Sequence, residues 1–154
     1  MKLKEFFIVT VFGFITAWFG ALAIPVVLLV SCNLIDYFTG MMAAHARGEK
    51  VTSAKGVMGI YKKASQWILV LIGFMVDSAL TSGTSYIGWN VPVYDTISII
   101  VALWLVFNEM LSILENVSDM GTSVPPFLVS IVTKLRTYTQ NTGNKLPTEK
   151  GDKT

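Results

Sequence analysis

Charge is what this chain has least of. Asp, Glu, Lys and Arg make up 14% of its 154 residues, against 53% hydrophobic, whereas a soluble domain carries roughly 25% charged residues. Too little polar surface is available to cover a water-soluble globule, so the bilayer is the natural solvent. Cysteine occurs once, at Cys32, which excludes a disulfide framework within one chain. Histidine also occurs once, at His45, with no second His or Cys to complete a metal site. A net charge of +2 is too small to indicate nucleic acid. No glycine-rich phosphate loop and no nucleophile with a plausible base occurs. Neither an enzyme nor a bound cofactor is expected.

Long apolar runs are what the chain has instead. No charged residue occurs from Phe6 to Ile35, and Asp36 is the only formal charge between Phe6 and Ala44. A spanning helix needs about 20 apolar residues, so this block is too long for one span and fits two joined at Gly20–Pro25. Gly loosens the backbone there, and Pro25 suits the first turn of a new helix. The expected architecture is all-α, a polytopic membrane protein with four transmembrane helices at about 6–20, 25–46, 64–80 and 93–119. A single helix kinked at Pro25 would reduce the number to three. Gly13, Ala17 and Ala21 form a small-residue ridge that would let helices approach closely in lipid.

The transmembrane domain therefore covers about 1–120. Between its second and third spans lies a basic stretch holding Arg47, Lys50, Lys55, Lys62 and Lys63 against Glu49 alone. Such residues mark the cytoplasmic side, and each adds about 1 kcal/mol of attraction to anionic headgroups. The segment Thr81–Pro92 has no Lys or Arg and contains Tyr86 and Trp89, which suits the outer interface. Asp77 and Asp95 flank it and are expected to be solvated. With four spans, Lys2, Lys4, the basic stretch and the C-terminal basic residues all fall on the cytoplasmic side, so both termini are expected there.

Two faces carry polar groups inside apolar helices. Cys32, Asp36, Gly40 and Ala44 recur at four-residue steps, with Thr39 beside them. In the last span Asn108, Ser112, Glu115 and Asp119 recur at i, i+4, i+7 and i+11, widened by Glu109 and Asn116. These are the expected assembly or pore faces, and a carboxylate such as Asp36 in an apolar run is a functional signal by default. Gly121 and Pro125-Pro126 end the helix. Residues 121–139 then contain an amphipathic helix, with Phe127, Leu128, Ile131, Val132, Leu135 and Tyr138 on one face, expected to lie on the membrane surface. Residues 140–154 read as a disordered polar tail.

Asp36-Tyr37-Phe38-Thr39-Gly40, Ser53-x-x-Gly56-x-x-Gly59 leading to Lys62-Lys63, and Asn108-Glu109-x-x-Ser112-Ile113-x-Glu115-Asn116 followed by Gly121 and Pro125 occur in one order. In this the chain resembles the toxin secretion/phage lysis holin family over about Asp36 to Pro126. The resemblance implies a protein that oligomerises in the bacterial cytoplasmic membrane and opens timed lesions. These release or activate an endolysin, its functional partner, and some relatives export toxins instead. Many such proteins pair with an antiholin from a second start codon, but the next methionine after Met1 is Met41, so a dual start is not expected. Apart from the resemblance, a small transporter or channel subunit with an ion site at Asp36 remains the alternative, as does a membrane scaffold.

Overall fold

A computed structural model describes residues 4–6, 9–10, 13, 20–50, 52–88 and 95–145. Its main elements are α1 (Ala23–Ala46), α2 (Ser53–Tyr86), α3 (Thr96–Asp119) and α4 (Pro126–Asn144), with a 3₁₀ turn at Gly20–Leu22 leading into α1. Among the described residues three stretches, Gly20–Ala46, Gly56–Tyr86 and Thr96–Asp119, are long and apolar enough to cross a membrane. The protein is thus an all-helical polytopic membrane protein. Most of the first span expected from sequence, Ala17 of its ridge included, lies outside the described residues, as do Trp89 and the tail from 146 onward.

α3 is the helix on which the others pack. Its inward face, Ser98, Ala102, Leu105, Val106 and Glu109, is buried. Leu22, Leu29 and Cys32 from the α1 side and Val70 from α2 meet it in one cluster. The ends pair as they must for a membrane bundle. Gly20 lies near Asp95, and Arg47 reaches Asp119 at the other end, so α1 and α3 run parallel with α2 antiparallel to both. By contrast, α1 and α2 make little direct backbone contact.

α2 is longer than expected. It starts at Ser53 rather than Ala64 and continues to Tyr86, about 51 Å at 1.5 Å per residue. Nothing between Ser53 and Lys63 breaks a helix strongly enough to stop it, and half of the stretch read as an outer loop simply extends it. One stripe on α2 faces inward: Lys63, Gln66, Val70, Gly73 and Asp77, spaced by three or four residues. The rest of this helix is largely exposed.

At the far end of that stripe α2 caps α3. Asp77 is 3% exposed, not solvated as expected, because its carboxylate supplies the N-terminal cap that α3 lacks. Oδ1 accepts the Ile97 N–H at 3.0 Å, and Oδ2 accepts the Ser98 N–H at 2.8 Å and the Ser98 hydroxyl at 2.7 Å. An anion there satisfies otherwise orphaned N–H groups and meets the positive end of the helix dipole. One turn earlier, a Cβ on Gly73 would stand 3.0 Å from Ser98 Cα, so any larger residue would have to push α2 and α3 apart by a few tenths of an ångström. At its other end α3 closes at Gly121, whose φ is 88°. Bonds from Gly121 N to Ser118 O and from Thr122 N to Val117 O complete a Schellman cap there.

α4 returns along α3. Its buried or half-buried face is Val132, Arg136, Thr139 and Gly143. The apolar side named from sequence, apart from Val132, looks outward: Phe127, Ile131, Leu135 and Tyr138 are 42–73% exposed. Gln140 to Asn144, read as tail, continue the helix.

Candidate functional site

A lysine stands between two carboxylates where α1, α2 and α3 meet. Lys63 Nζ lies 2.8 Å from Asp36 Oδ2 and 2.5 Å from Glu109 Oε2. It also donates to Asn33 Oδ1 at 3.4 Å. Gln66 Nε2 donates to Glu109 Oε1 at 2.5 Å. On the far side of Asp36, Asn116 Nδ2 donates to Asp36 Oδ1 at 3.1 Å and to Thr39 Oγ1 at 3.2 Å. Side-chain exposure is 17% for Lys63, 17% for Asp36 and 5% for Glu109.

Each helix brings its group here for a local reason. Asp36 lies on the same strip of α1 as Leu29, Cys32 and Ala43, so packing that strip against α3 carries the carboxylate in. Glu109 continues the strip Ala102, Leu105 and Val106 on α3. Lys63 heads the inward stripe of α2. One cation among two anions leaves the cluster at a formal charge of −1, and a buried charge is tolerated only when paired and hydrogen-bonded. Asn33 Nδ2 and Gln66 Oε1, both buried, have no hydrogen-bond partner among the described residues, so the cluster keeps capacity for further hydrogen bonds.

A groove of about 250 Å³ between α1 and α2 opens onto the cluster. Asp36, Gly40, Ala44, Arg47, Lys62 and Lys63 are among its walls, and it provides a way in from the end of the bundle where the basic residues gather. Arg47 is exposed there and bridges Glu49 and Asp119. Those two carboxylates hold its guanidinium pKa above the ordinary arginine value.

The residues singled out in the sequence divide among several surroundings. Asp36, Thr39 and Gly40 face Asn116, and Glu109 reaches Lys63. Asn108 turns to α4, accepting a hydrogen bond from Arg136 at 3.3 Å. Ser112 is half-buried and Glu115 exposed. Among the basic residues Lys50 and Lys62 are exposed, the side chain of Lys55 lies outside the described residues, and Lys63 points inward rather than to the membrane surface. Asn33 and Gln66 went unnoticed in the sequence. The signal was there: Lys63, Gln66, Gly73 and Asp77 share one face of a helix whose other faces are apolar. No group of three or more His, Cys, Asp or Glu side chains suited to a metal occurs among the described residues.

Three apolar helices long enough to cross a membrane, joined by a buried ion cluster, define an integral membrane protein. Residues 13–137 match the model of the bacteriophage holin family, and the chain belongs to that family. It is also similar to uncharacterized proteins of Clostridium and Listeria. One from Clostridium perfringens is 32% identical over 128 residues, covering 83% of this chain and 84% of the relative. Another, an uncharacterized 14.9 kDa protein of Clostridium perfringens, is 31% identical and covers 80% and 86%. A third from Listeria innocua is 34% identical, covering 79% and 76%. No solved structure matches the chain.

Proposed function

We propose that this chain acts as a holin of the bacterial cytoplasmic membrane, accumulating and oligomerising there before opening lesions that release or activate an endolysin. The family match over residues 13–137 is the observation that carries this reading. The ion cluster supplies a mechanism for it. Lys63 ties α2 to α1 and α3 where backbone contact between α1 and α2 is slight, so breaking its two ion pairs would loosen this end of α2 and let water reach Asp36, Glu109 and Asn116. The polar groups of α1 and α3 thus act first as a latch within the closed bundle and then as hydrated faces of the opened one.

The basic end of the bundle faces the cytoplasm in this reading, since Lys and Arg beside spans are retained on that side. Four spans would place the N-terminus there too, and the C-terminus joins it when α4 lies on the surface. An endolysin need not touch the holin, and an antiholin would act by joining its oligomer. Toxin export through the same lesion is a use that gene neighbours would reveal.

Inducible expression in a bacterium, with and without a muralytic enzyme in the cytoplasm, tests the proposal. Lysis after a delay, and only with the enzyme, is the expected result. Steady ion flux with continued growth would instead indicate a transporter or channel subunit.

A further inference from the structure

A second groove lies on the seam between α1 and α2. It holds about 410 Å³, with Leu34 and Tyr37 of α1 among its walls on one side and Ile60 and Trp67 of α2 on the other. Leu34 and Ile60 are each 57% exposed, so the groove is open to whatever surrounds the bundle. Its size and its apolar, aromatic walls are those of a small-molecule site. Asn33 and Lys63 also line it.

Of these two, only Asn33 has a hydrogen bond left to give. Lys63 Nζ has three N–H donors, and they are taken up by Asp36, Glu109 and Asn33 Oδ1. The last of these bonds fixes the amide, since turning it over would set its NH₂ group against an ammonium. Asn33 Nδ2 has no partner among the described residues, on a side chain that is buried. A buried donor without an acceptor costs free energy that a bound acceptor restores.

Depth decides the chemistry of that acceptor. Asn33 is the middle residue of the stretch Gly20–Ala46, about 20 Å from either end at 1.5 Å per residue. The hydrocarbon core of a bilayer is about 30 Å thick, so lipid phosphates and ester carbonyls stay out of reach. Acyl chains reach the groove but carry no acceptor. Backbone carbonyls of a neighbouring helix are engaged within that helix. What fits is a flat, apolar molecule dissolved in the bilayer, with a carbonyl on its ring. We propose that the groove binds a lipid-soluble quinone, its carbonyl oxygen accepting from Asn33 Nδ2 and its ring lying between Tyr37 and Trp67. Because Asn33 Oδ1 also accepts from Lys63, the occupant braces the lysine that joins the three helices. The site does not depend on lesion formation.

Equilibrium dialysis of the purified full chain in nanodiscs tests this, with uptake by empty nanodiscs subtracted. The probes are menadione and methylnaphthalene, which has a similar outline and no carbonyl. Saturable binding of menadione, about tenfold or more tighter than the hydrocarbon, is expected. Asn33→Leu should weaken menadione by a similar factor and leave the hydrocarbon unchanged. Ile60→Trp, at an exposed position, fills the groove and should abolish menadione binding, which keeps the test decisive if Asn33→Leu does not fold. Equal affinity for the two probes, full menadione affinity in either variant, or uptake no greater than that of empty nanodiscs would overturn the site.

Discussion

Lys63 on α2 and Glu109 on α3 form a 2.5 Å ion pair that is the inner half of a three-helix junction, with Asp36 of α1 completing it. Backbone contact between α1 and α2 is slight, and Lys63 joins them through a side chain that also anchors α2 to α3.

Removing that cation alone should be worse than removing the whole cluster. Lys63→Met leaves two buried carboxylates facing each other, and breaking such a pair costs about 3–5 kcal/mol. The triple variant K63M/D36N/E109Q removes the charges together and should recover most of that loss. Unfolding in detergent, followed by helical circular dichroism against added SDS, checks both.

Timing should respond to Asp36. Asp36→Asn keeps the shape and the bond from Asn116 but weakens the hold on Lys63. Insertion and accumulation should match the parent while the onset of lysis shifts. Normal accumulation with unchanged timing would remove Asp36 from the latch.

Such a junction could be read only in part from the sequence. Asp36, Thr39, Gly40, Glu109 and Asn116 stood out because polar groups in apolar helices are rare and their spacing put them on one face each. Lys63 was hidden by its neighbours, since five basic residues in one stretch read as a topology signal. Only packing separates Lys63, which points inward, from exposed Lys62. Asp77 was read as solvated because its partners, two backbone N–H groups and the Ser98 hydroxyl, belong to another helix. α4 misled differently. Its apolar face was identified, but contact with α3 is made by the smaller, more polar face, as packing between helices in lipid favours.

The cap on α3 should be measurable by itself. Asp77→Ala strips three hydrogen bonds from the first turn of α3 and leaves Ile97 and Ser98 without their acceptor. A loss of about 1–3 kcal/mol is expected, read by the same detergent unfolding. Asp77→Asn should lose less, because its amide oxygen still accepts.

Gly73 should tolerate a side chain poorly. Its absent Cβ would fall 3.0 Å from Ser98 Cα and 3.3 Å from Ser98 N, and these backbone atoms cannot rotate away. Gly73→Val should cost about 1–3 kcal/mol or more by overpacking. Gly83→Val is the control, since nothing stands within 4 Å of its Cβ position.

The most direct measurement follows membrane potential in single induced cells with a voltage-sensitive dye. A holin should leave the potential steady while the protein accumulates and then collapse it abruptly, at a delay that Asp36→Asn displaces. A potential that declines gradually from the start of expression, or never falls as the protein accumulates in the membrane, would contradict timed lesion formation.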